Sequence, residues 1–323
     1  MVHAIVVEKG RPAELREVDD DVLGRGDVDV DVAWSSLNYQ DGLALRGDPG
    51  VVRADPLVPG IDLVGTVTTS RDGRFAAGDE VVLTGAGLGE TRAGGYAPRA
   101  HVDGASLVHL PQGLDARRAA ALGTAGVTAA LSVLRLERDV APGNGPVVVT
   151  GASGGVGSLA VTLLAARGHE VVAVTGRPSG ADWLRRLGAS DVVDRSELAE
   201  PGRPVQGQRW AGGVDGVGSH VLANVLAQTR WGGTVTACGL AAGSDLPTTV
   251  LPFVLRGVTL AGIDSVQAPA DARGAAWALL ARHVDPRLLD DLTDETDLAG
   301  VLDLGPEILA GRVRGRTVVR VAG

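Results

Sequence analysis

A glycine-rich segment near the middle of the chain carries the clearest chemical signal. It reads Thr150-Gly151-Ala152-Ser153-Gly154-Gly155-Val156-Gly157 and follows the apolar run Val147-Val148-Val149. Glycines in such a turn let the backbone approach a pyrophosphate closely, and the free N–H groups of a following helix attract negative charge. The segment therefore predicts a dinucleotide site. The predicted pyrophosphate contacts are Gly151, Ser153, Gly154, Gly155, Val156 and Gly157.

The residues after the glycine turn complete the strand–helix–strand unit that this site requires. Residues 158–166 predict a helix that Gly168 ends, and residues 170–175 predict a second buried strand. Because the chain contains 47 glycines, an isolated glycine pattern would mean little, and this context is what makes the motif specific. A glycine turn that binds no ligand is the alternative.

The end of the second predicted strand indicates which dinucleotide binds. An NAD-dependent enzyme carries Asp or Glu there for the ribose hydroxyls. This chain continues Thr175-Gly176-Arg177 and has no acidic residue until Asp182. Since an arginine offers paired donors to a phosphate, we predict NADPH as the cofactor, with Thr175, Gly176 and Arg177 on its 2′-phosphate side. A solvated loop arginine is the alternative for Arg177.

Composition excludes several classes of protein. The 323 residues carry a formal net charge of −9, which argues against nucleic acid or an anionic membrane as the main partner. No apolar run reaches the roughly 18 residues of a membrane span, and the first five residues do not resemble a signal peptide. Cys238 is the only cysteine, so no intrachain disulfide forms. A cytoplasmic location is the default expectation.

Three other chemistries lack the residues that they need. A short-chain dehydrogenase needs a Tyr-x-x-x-Lys pair, but Lys9 is the only lysine and no tyrosine has a lysine four residues on. A P-loop needs Gly-Lys-Ser/Thr at its end. A zinc alcohol dehydrogenase needs cysteine and histidine ligands, and one cysteine with six scattered histidines does not supply them. We therefore expect no metal site.

The remaining sequence predicts two kinds of architecture. Residues 1–120 contain many short strands with Gly and Pro turns, which suggests a barrel or sandwich. Residues 114–138 predict a helix broken by Gly123 and Gly126. From residue 147 onward strands alternate with helices, the signature of a parallel sheet. Further predicted elements are strands 213–217, 233–238, 258–263 and 317–321, and helices 220–229 and 273–282. The last strand is expected to return to the N-terminal half.

Several long motifs resemble one protein family. They are residues 34–43 (WSSLNYQDGL), 59–62 (PGID), 123–126 (GTAG), 150–157, 237–240 (ACGL), 246–253 (LPTTVLPF) and 262–266 (GIDSV). The chain resembles the medium-chain dehydrogenase/reductase superfamily, in the NADPH-dependent acryloyl-CoA reductase subfamily of its zinc-free, quinone-oxidoreductase-like branch. The resemblance implies an α/β protein with a GroES-like β-barrel catalytic domain over 1–120, completed by about 290–323. A Rossmann NADP-binding domain, a doubly wound parallel sheet, covers 121–289. It also implies a homodimer that acts on a small-molecule substrate.

The resemblance further implies roles for individual residues. Arg195 matches a second arginine on the phosphate side. Cys238, Gly239 and Leu240 match a contact on the nicotinamide side, although a cysteine at a strand end is otherwise only small and apolar. Val254 and Ser265 match positions near the cofactor, and Val254 fits the core equally well.

For the chemistry we single out Asn38, Tyr39 and Asp41, polar residues that follow a predicted strand. Hydride addition to the Cβ of an unsaturated thioester leaves an enolate, whose oxygen needs a donor and whose Cα needs a proton. Tyr39 or the Asn38 amide is the predicted donor, and the proton is expected through Asp41 or a water that it holds. Tyr39 is also a predicted cofactor contact, and packing on the cofactor is either its only role or one that it combines with catalysis. The alternative for Asp41 is a helix cap.

Three functions compete at this point. The first is an NADPH-dependent enoyl-CoA reductase acting on acryloyl-CoA, and the second is a broader quinone or enone reductase on the same fold. The third is a non-catalytic nucleotide-sensing or crystallin-like protein, which would be expected to lack the polar trio or the phosphate-side arginines. Arg312, Arg314 and Arg316 are further candidates for anion contacts, with solvated surface as the alternative.

Overall fold

The computed structural model describes residues 1–322. Its strands are β1 (Val2–Val6), β2 (Glu14–Val18), β3 (Val28–Leu37), β4 (Asp62–Ser70), β5 (Glu80–Thr84), β6 (Arg99–Val102), β7 (Val108–His109), β8 (Val147–Thr150), β9 (Val171–Thr175), β10 (Asp191–Asp194), β11 (Trp210–Asp215), β12 (Thr229–Ala237), β13 (Thr259–Gly262), β14 (Thr293–Asp297) and β15 (Arg316–Arg320). Its helices are α1 (Tyr39–Leu45), α2 (Ala116–Leu136), α3 (Gly155–Ala166), α4 (Ala181–Arg186), α5 (Ser196–Ala199), α6 (Ser219–Gln228), α7 (Leu251–Arg256), α8 (Ala270–His283), α9 (Pro286–Asp291) and α10 (Leu298–Leu309).

The described residues form two compact units. The first contains residues 1–127, residues 265–281 and the chain from residue 285 onward. The second contains residues 128–264 and 282–284. Residues 265–281 thus belong to the first unit, whereas the predicted nucleotide-binding domain, residues 121–289, includes them.

The second unit is built on a parallel sheet. Its strand order is β10-β9-β8-β11-β12-β13, and every neighbouring pair runs parallel. Numbered by appearance within this unit, the order is 3-2-1-4-5-6, the doubly wound arrangement of a Rossmann fold. β8 and β9 are buried along their whole length, which explains their uninterrupted apolar sequences. The predicted strand–glycine turn–helix–strand unit is therefore confirmed, including Gly168, which follows α3 with φ +86°.

The first unit is built on a mainly antiparallel sheet. The strand order is β14-β15-β3-β4-β5-β7, with β6 also paired to β3. β15 lies antiparallel to β3, with Thr317 opposite Leu37. The expected return of the last strand to the N-terminal half is thus confirmed. Inward-facing residues of these strands, among them Val30, Leu63 and Val81, form one apolar core.

Two sequence expectations about local structure are wrong. α2 is interrupted at Gly123 (φ +46°, ψ −153°) but continues through Gly126, whose absent side chain leaves room for Leu280: a Cβ there would lie 3.3 Å from a Leu280 methyl carbon. The strand predicted over 213–217 ends at Asp215. It stops there because the Asp215 carboxylate accepts the N–H groups of the next turn.

α2 also bears on the membrane question. Its length and composition would let it cross a membrane, contrary to the sequence expectation. However, 78% of its most apolar window is buried inside the protein, and the core helix of a soluble protein passes the same test.

Candidate active site

The glycine turn after β8 has the geometry that a pyrophosphate site needs. Gly151 has φ +61°, a conformation that favours glycine. Gly154 is the N-cap of α3, and Gly155 and Val156 open its first turn. A Cβ at Gly157 would lie 2.3 Å from the Gly151 carbonyl oxygen, so only glycine lets α3 start this close to β8. The N–H groups at the start of α3 thus follow the turn directly, as phosphate binding requires.

Asp215 organises the point where the strand order reverses, between β8 and β11. Its Oδ1 accepts a 2.6 Å hydrogen bond from the Thr150 hydroxyl. Its Oδ2 accepts the N–H groups of Val217 (3.2 Å) and Gly218 (2.8 Å). Burial raises the pKa of the Asp215 carboxyl above its usual value. Sequence reasoning missed this residue, although a carboxylate closing an apolar strand was a usable signal.

The residues predicted for the phosphate side come together at the end of β9. The Ser153 and Thr175 hydroxyls lie 2.7 Å apart, and the Arg177 N–H donates to the Thr175 hydroxyl at 3.1 Å. A Cβ at Gly176 would lie 3.1 Å from the Arg195 guanidinium carbon, so Arg195 lies against the bare backbone of Gly176. The Arg195 N–H donates to the Thr175 carbonyl at 2.9 Å. These residues fit a phosphate beside the ribose.

The segment after β12 contacts the turn at Asp215. Cys238 donates its N–H (2.9 Å) and its thiol (3.2 Å) to the Asp215 carbonyl oxygen. A Cβ at Gly239 would lie 2.5 Å from the Gly216 carbonyl oxygen, so this approach also requires glycine. Leu240 follows with 63% of its surface exposed. Cys238, Gly239 and Leu240 therefore stand at the carboxyl edge of the sheet, where a Rossmann ligand binds.

Three further residues are predicted to contact the cofactor: Tyr39, at the start of α1, Val254 and Ser265. Val254 lies on α7 with 73% of its surface exposed, so it is not a core residue. Ser265 belongs to the first unit. Their contact with the cofactor stays a prediction.

A zinc ion does not fit the residues present. Among residues 1–322 no three His, Cys, Asp or Glu side chains are grouped to hold a metal. Burial raises the pKa of the Cys238 thiol to about 12, with the nearby Asp215 charge acting in the same direction. Cys238 is the one cysteine of the sequence, and its thiol already donates to the Asp215 carbonyl oxygen.

The first unit contains a buried group of polar side chains, which we call the polar cluster. Its members are Ser36, Asn38, Asp41, Asp62, Tyr96, Thr124 and Arg316. They come from the end of β3, the start of α1 and β4, the loop before β6, the interruption in α2, and β15. From this set, the sequence predicts Asn38 and Asp41 for the chemistry and Arg316 only as a candidate anion contact.

Asp41 is fully buried and closes the start of α1. Its Oδ2 accepts the Asn38 N–H at 2.8 Å, which forms half of a capping box. Its Oδ1 accepts the Ile61 N–H at 2.9 Å. Burial, and then repulsion from Asp62, raises the pKa of the Asp41 carboxyl to about 7. Asp41 therefore caps α1, as the alternative interpretation expects. A role of Asp41 in proton transfer stays a prediction.

The Asn38 carboxamide is held from both ends. Its Nδ2 donates to Asp62 Oδ2 (2.9 Å), Asp41 Oδ2 (3.0 Å) and the Ser36 hydroxyl (3.2 Å). Its Oδ1 accepts from Arg316 at 3.1 Å. Two N–H bonds facing three acceptors leave no donor for a substrate. Tyr39, next in the chain and 45% exposed, keeps its hydroxyl accessible. Of the two predicted donors, the geometry favours Tyr39.

Asp62 and Arg316 connect the polar cluster across long sequence distances. Asp62 Oδ1 accepts the N–H (2.8 Å) and hydroxyl (2.6 Å) of Thr124, directly after the interruption at Gly123. Arg316, 2% exposed, donates to the Ala121 carbonyl (2.6 Å) and to the Ser36 hydroxyl (2.9 Å). Burial lowers the pKa of Arg316, while the charges of Asp62 and Asp41 oppose that shift.

The three C-terminal arginines are thus not equivalent. Arg316 is neither a surface residue nor an anion contact, because its guanidinium is occupied inside the polar cluster. Arg312 forms a paired contact with Glu307, with two 2.6 Å hydrogen bonds. Arg314 makes an interaction of its own and is not a free cation.

A doubly wound nucleotide-binding unit and an antiparallel β unit with a buried polar cluster define a dinucleotide-dependent oxidoreductase of the two-domain kind. Family models agree with this: "Alcohol dehydrogenase GroES-like domain" matches residues 24–112, and "Zinc-binding dehydrogenase" matches residues 155–282. The chain is 48% identical to Acrylyl-CoA reductase AcuI of Ruegeria pomeroyi, over 99% of both chains.

Two solved structures are similar throughout. YhdH of Escherichia coli K-12 with bound NADPH has a TM-score of 0.96 and 50% identity, covering 99% of this chain and 100% of that one. YhfP of Bacillus subtilis with bound NAD has a TM-score of 0.94 and 43% identity, covering 99% of both. YhfP of Bacillus subtilis is named as a "Putative quinone oxidoreductase".

The chain therefore belongs to the medium-chain dehydrogenase/reductase superfamily, in its acryloyl-CoA reductase branch. The GroES-like and Rossmann assignments made from the sequence are confirmed.

Proposed function

We propose that this protein reduces the C=C bond of an α,β-unsaturated acyl-CoA, foremost acryloyl-CoA to propionyl-CoA, with NADPH. The full-length likeness to Acrylyl-CoA reductase AcuI at 48% identity carries the substrate assignment. The meeting of Thr175, Gly176 and Arg195 at the end of β9 supports the cofactor assignment. In the balanced reaction, acryloyl-CoA, NADPH and one proton give propionyl-CoA and NADP⁺.

The cofactor supplies the hydride that Cβ of the substrate accepts. The protein must then stabilise the enolate oxygen and deliver a proton to Cα. Tyr39 is the proposed donor, since its hydroxyl is accessible while the Asn38 amide is fully used. Asp41 holds the start of α1 that carries Tyr39, and with a pKa near 7 it is partly protonated at neutral pH. We propose Asp41 as the proton source, directly or through a water.

The proposed activity is tested by NADPH oxidation with acryloyl-CoA, crotonyl-CoA and a simple quinone. We expect acryloyl-CoA to be the best substrate and propionyl-CoA to be the product, with no metal added. Loss of activity with a chelator and its return with zinc would overturn the metal-independent mechanism. No NADPH oxidation with any thioester would overturn the function itself.

A quinone or general enone reductase is the second candidate function. It is favoured by the 44% identity to the quinone-oxidoreductase-like YhfP over 95% of this chain. Equal or faster turnover of the quinone than of acryloyl-CoA in the same assay would favour this function instead.

We expect the protein to prefer NADPH over NADH, because β9 continues into Thr175-Gly176-Arg177 with no acidic residue until Asp182, and Arg195 lies against Gly176. Arg177→Ala should weaken NADPH binding roughly ten- to a hundredfold, the value of a charge-assisted contact of about 1.5–3 kcal/mol. NADH binding should barely change. Fluorescence titration of wild type, Arg177→Ala and Arg195→Ala with both cofactors measures this.

Two outcomes of that titration have distinct meanings. Wild type binding NADH as tightly as NADPH would contradict the assignment, and YhfP, with bound NAD, makes this a real alternative. A preference that survives Arg177→Ala but disappears in Arg195→Ala would transfer the role to Arg195, whose guanidinium lies against Gly176.

We also propose that the protein is a homodimer in the cytoplasm. α7 exposes Leu251, Val254 and Leu255, and β13 has a strand neighbour on one side only within the described sheet. An open strand edge and exposed apolar side chains both suit pairing with a second copy of the chain.

A further inference from the structure

The described chain buries two arginines in different electrostatic surroundings. Arg316 (2% exposed) lies among Asp41, Asp62 and Tyr96, whose negative charges favour its charged form. Arg273 (7% exposed) has no such partner: burial alone shifts its pKa, downward, and no carboxylate opposes that shift. A buried charge without a counter-charge is costly in a protein. Arg273 therefore needs an explanation that Arg316 does not.

The hydrogen bonding of Arg273 is also incomplete. Its Nη2 donates to the Ala105 carbonyl oxygen at 3.2 Å. Its Nε is buried and has no acceptor within hydrogen-bond distance. A guanidinium has five N–H bonds, so one carbonyl satisfies only a small part of its capacity.

Arg273 lies in the first turn of α8, a helix of 14 residues. The first N–H groups of a helix have no intrahelical acceptors and carry partial positive charge. Long side chains on a helix lean back toward its N-terminus, so the Arg273 side chain extends over the first turn, where the Arg273 N–H donates to the Pro269 carbonyl at 3.0 Å. Ala270 and Asp271 at this terminus are exposed. The Asp271 carboxylate accepts the N–H of Ala272 at 2.8 Å.

Backbone contacts connect this terminus to the end of the sheet that carries the polar cluster. Ala86, just beyond the end of β5, donates its N–H to the carbonyl oxygen of Val266, in the segment leading into α8, at 3.1 Å. The adjacent Gly85 donates its N–H to the Ile61 carbonyl at 3.0 Å. Ile61 in turn donates its N–H to Asp41. The segment leading into α8 therefore contacts the end of β5 near Asp41, while Arg273 itself contacts the turn after β6 at Ala105.

We propose that Arg273 and the N-terminus of α8 form an anion subsite that binds a phosphate of the CoA thioester substrate. The proposal rests on the acyl-CoA reductase function proposed above. CoA carries its phosphates at the far end of the pantetheine arm, so a subsite for them need not adjoin Tyr39. A bound phosphate would supply the counter-charge and the acceptor that the described chain does not provide to Arg273.

The test compares two substrates with the same acryloyl thioester: acryloyl-CoA and acryloyl-N-acetylcysteamine, which has no phosphate. We expect Arg273→Gln to raise the KM for acryloyl-CoA roughly ten- to a hundredfold, the loss of one charge-assisted contact. The KM for the truncated thioester should stay within about twofold of wild type, because that substrate never reaches the subsite. kcat should change little for either substrate.

Two control variants make the result specific. Arg273→Lys keeps the charge and should retain much of the affinity for acryloyl-CoA. Arg282→Gln removes an exposed arginine from the last turn of the same helix and should leave both KM values unchanged. Acryloyl-3′-dephospho-CoA then distinguishes the 3′-phosphate from the diphosphate.

The outcomes distinguish failure of the Arg273 subsite from failure of the proposed reductase function. An equal rise of KM for both thioesters, or a several-degree fall in Tm of Arg273→Gln with unchanged KM values, would overturn the subsite and make Arg273 a packing residue. If wild type oxidises NADPH with neither thioester, the proposed function fails first. Efficient reduction of both thioesters by wild type with identical KM values would leave the function intact and refute the subsite.

Discussion

Arg316→Met is expected to lower the free energy of unfolding by about 3–5 kcal/mol, the usual effect of removing one member of a buried charged group. The substitution leaves Asp41 and Asp62 buried without their cation and removes the donors to the Ala121 carbonyl, Ser36 and Asn38. Urea unfolding of wild type and variant at one pH measures the difference.

The matched control is Arg320→Met on the same strand. Arg320 is exposed and pairs with Glu295 at 3.5 Å. Exposed ion pairs contribute between zero and about 1 kcal/mol, so this variant should be close to wild type. If the two variants lose the same stability, the polar cluster does not depend on its buried cation.

Tyr39→Phe and Asp41→Asn are expected to reduce kcat by about ten- to a thousandfold while changing NADPH affinity much less. Tyr39→Phe removes the accessible hydroxyl proposed to donate to the enolate oxygen. Asp41→Asn removes the titrating group, although its amide cannot accept every hydrogen bond that the carboxylate accepts. Steady-state kinetics and NADPH titration of both variants measure the split. Unchanged kcat in both would remove these residues from the mechanism.

The pH dependence of Asp41 gives a second readout. Its pKa is raised from the ordinary 3.8 to about 7, so between these values the folded protein holds a proton that the unfolded chain has lost. The contribution of Asp41 to stability therefore falls as the pH rises through this window. If the protonated carboxyl is the proton source, kcat should also decline above about pH 7, and Asp41→Asn should abolish that decline. A wild-type kcat that is flat through pH 7 would contradict the role.

The sequence predicts the nucleotide site well because its parts are local. The glycine turn, the end of β9 and Arg177 lie within 28 residues, and the order of elements in a parallel sheet brings their ends together. Arg195 follows the neighbouring strand β10 and meets Gly176 by the same geometry. In this part of the molecule, local spacing is sufficient to predict proximity.

The polar cluster could not be predicted in the same way. Arg316 and Asn38 are 278 residues apart, and nothing in a run of C-terminal arginines distinguishes a buried one from its exposed neighbours. The interruption of α2 at Gly123, but not at Gly126, follows from Asp62, whose carboxylate takes the Thr124 N–H. A Cβ at Gly123 would lie 2.5 Å from Asp62 Oδ2. Such choices depend on tertiary contacts rather than on propensity.

The position of Arg316 in β15 has a consequence for biosynthesis. A growing chain emerges from the ribosome N-terminus first, and domains commonly begin to fold as they emerge. All other members of the polar cluster lie at or before Thr124, so the nascent chain can gather its two carboxylates long before their cation exists. The second unit consists of residues 128–264 and 282–284, so nearly all of it has been synthesised before Arg316. Assembly of the polar cluster is thereby tied to the synthesis of Arg316, so a chain terminated before this residue would keep a nucleotide-binding unit without a complete polar cluster.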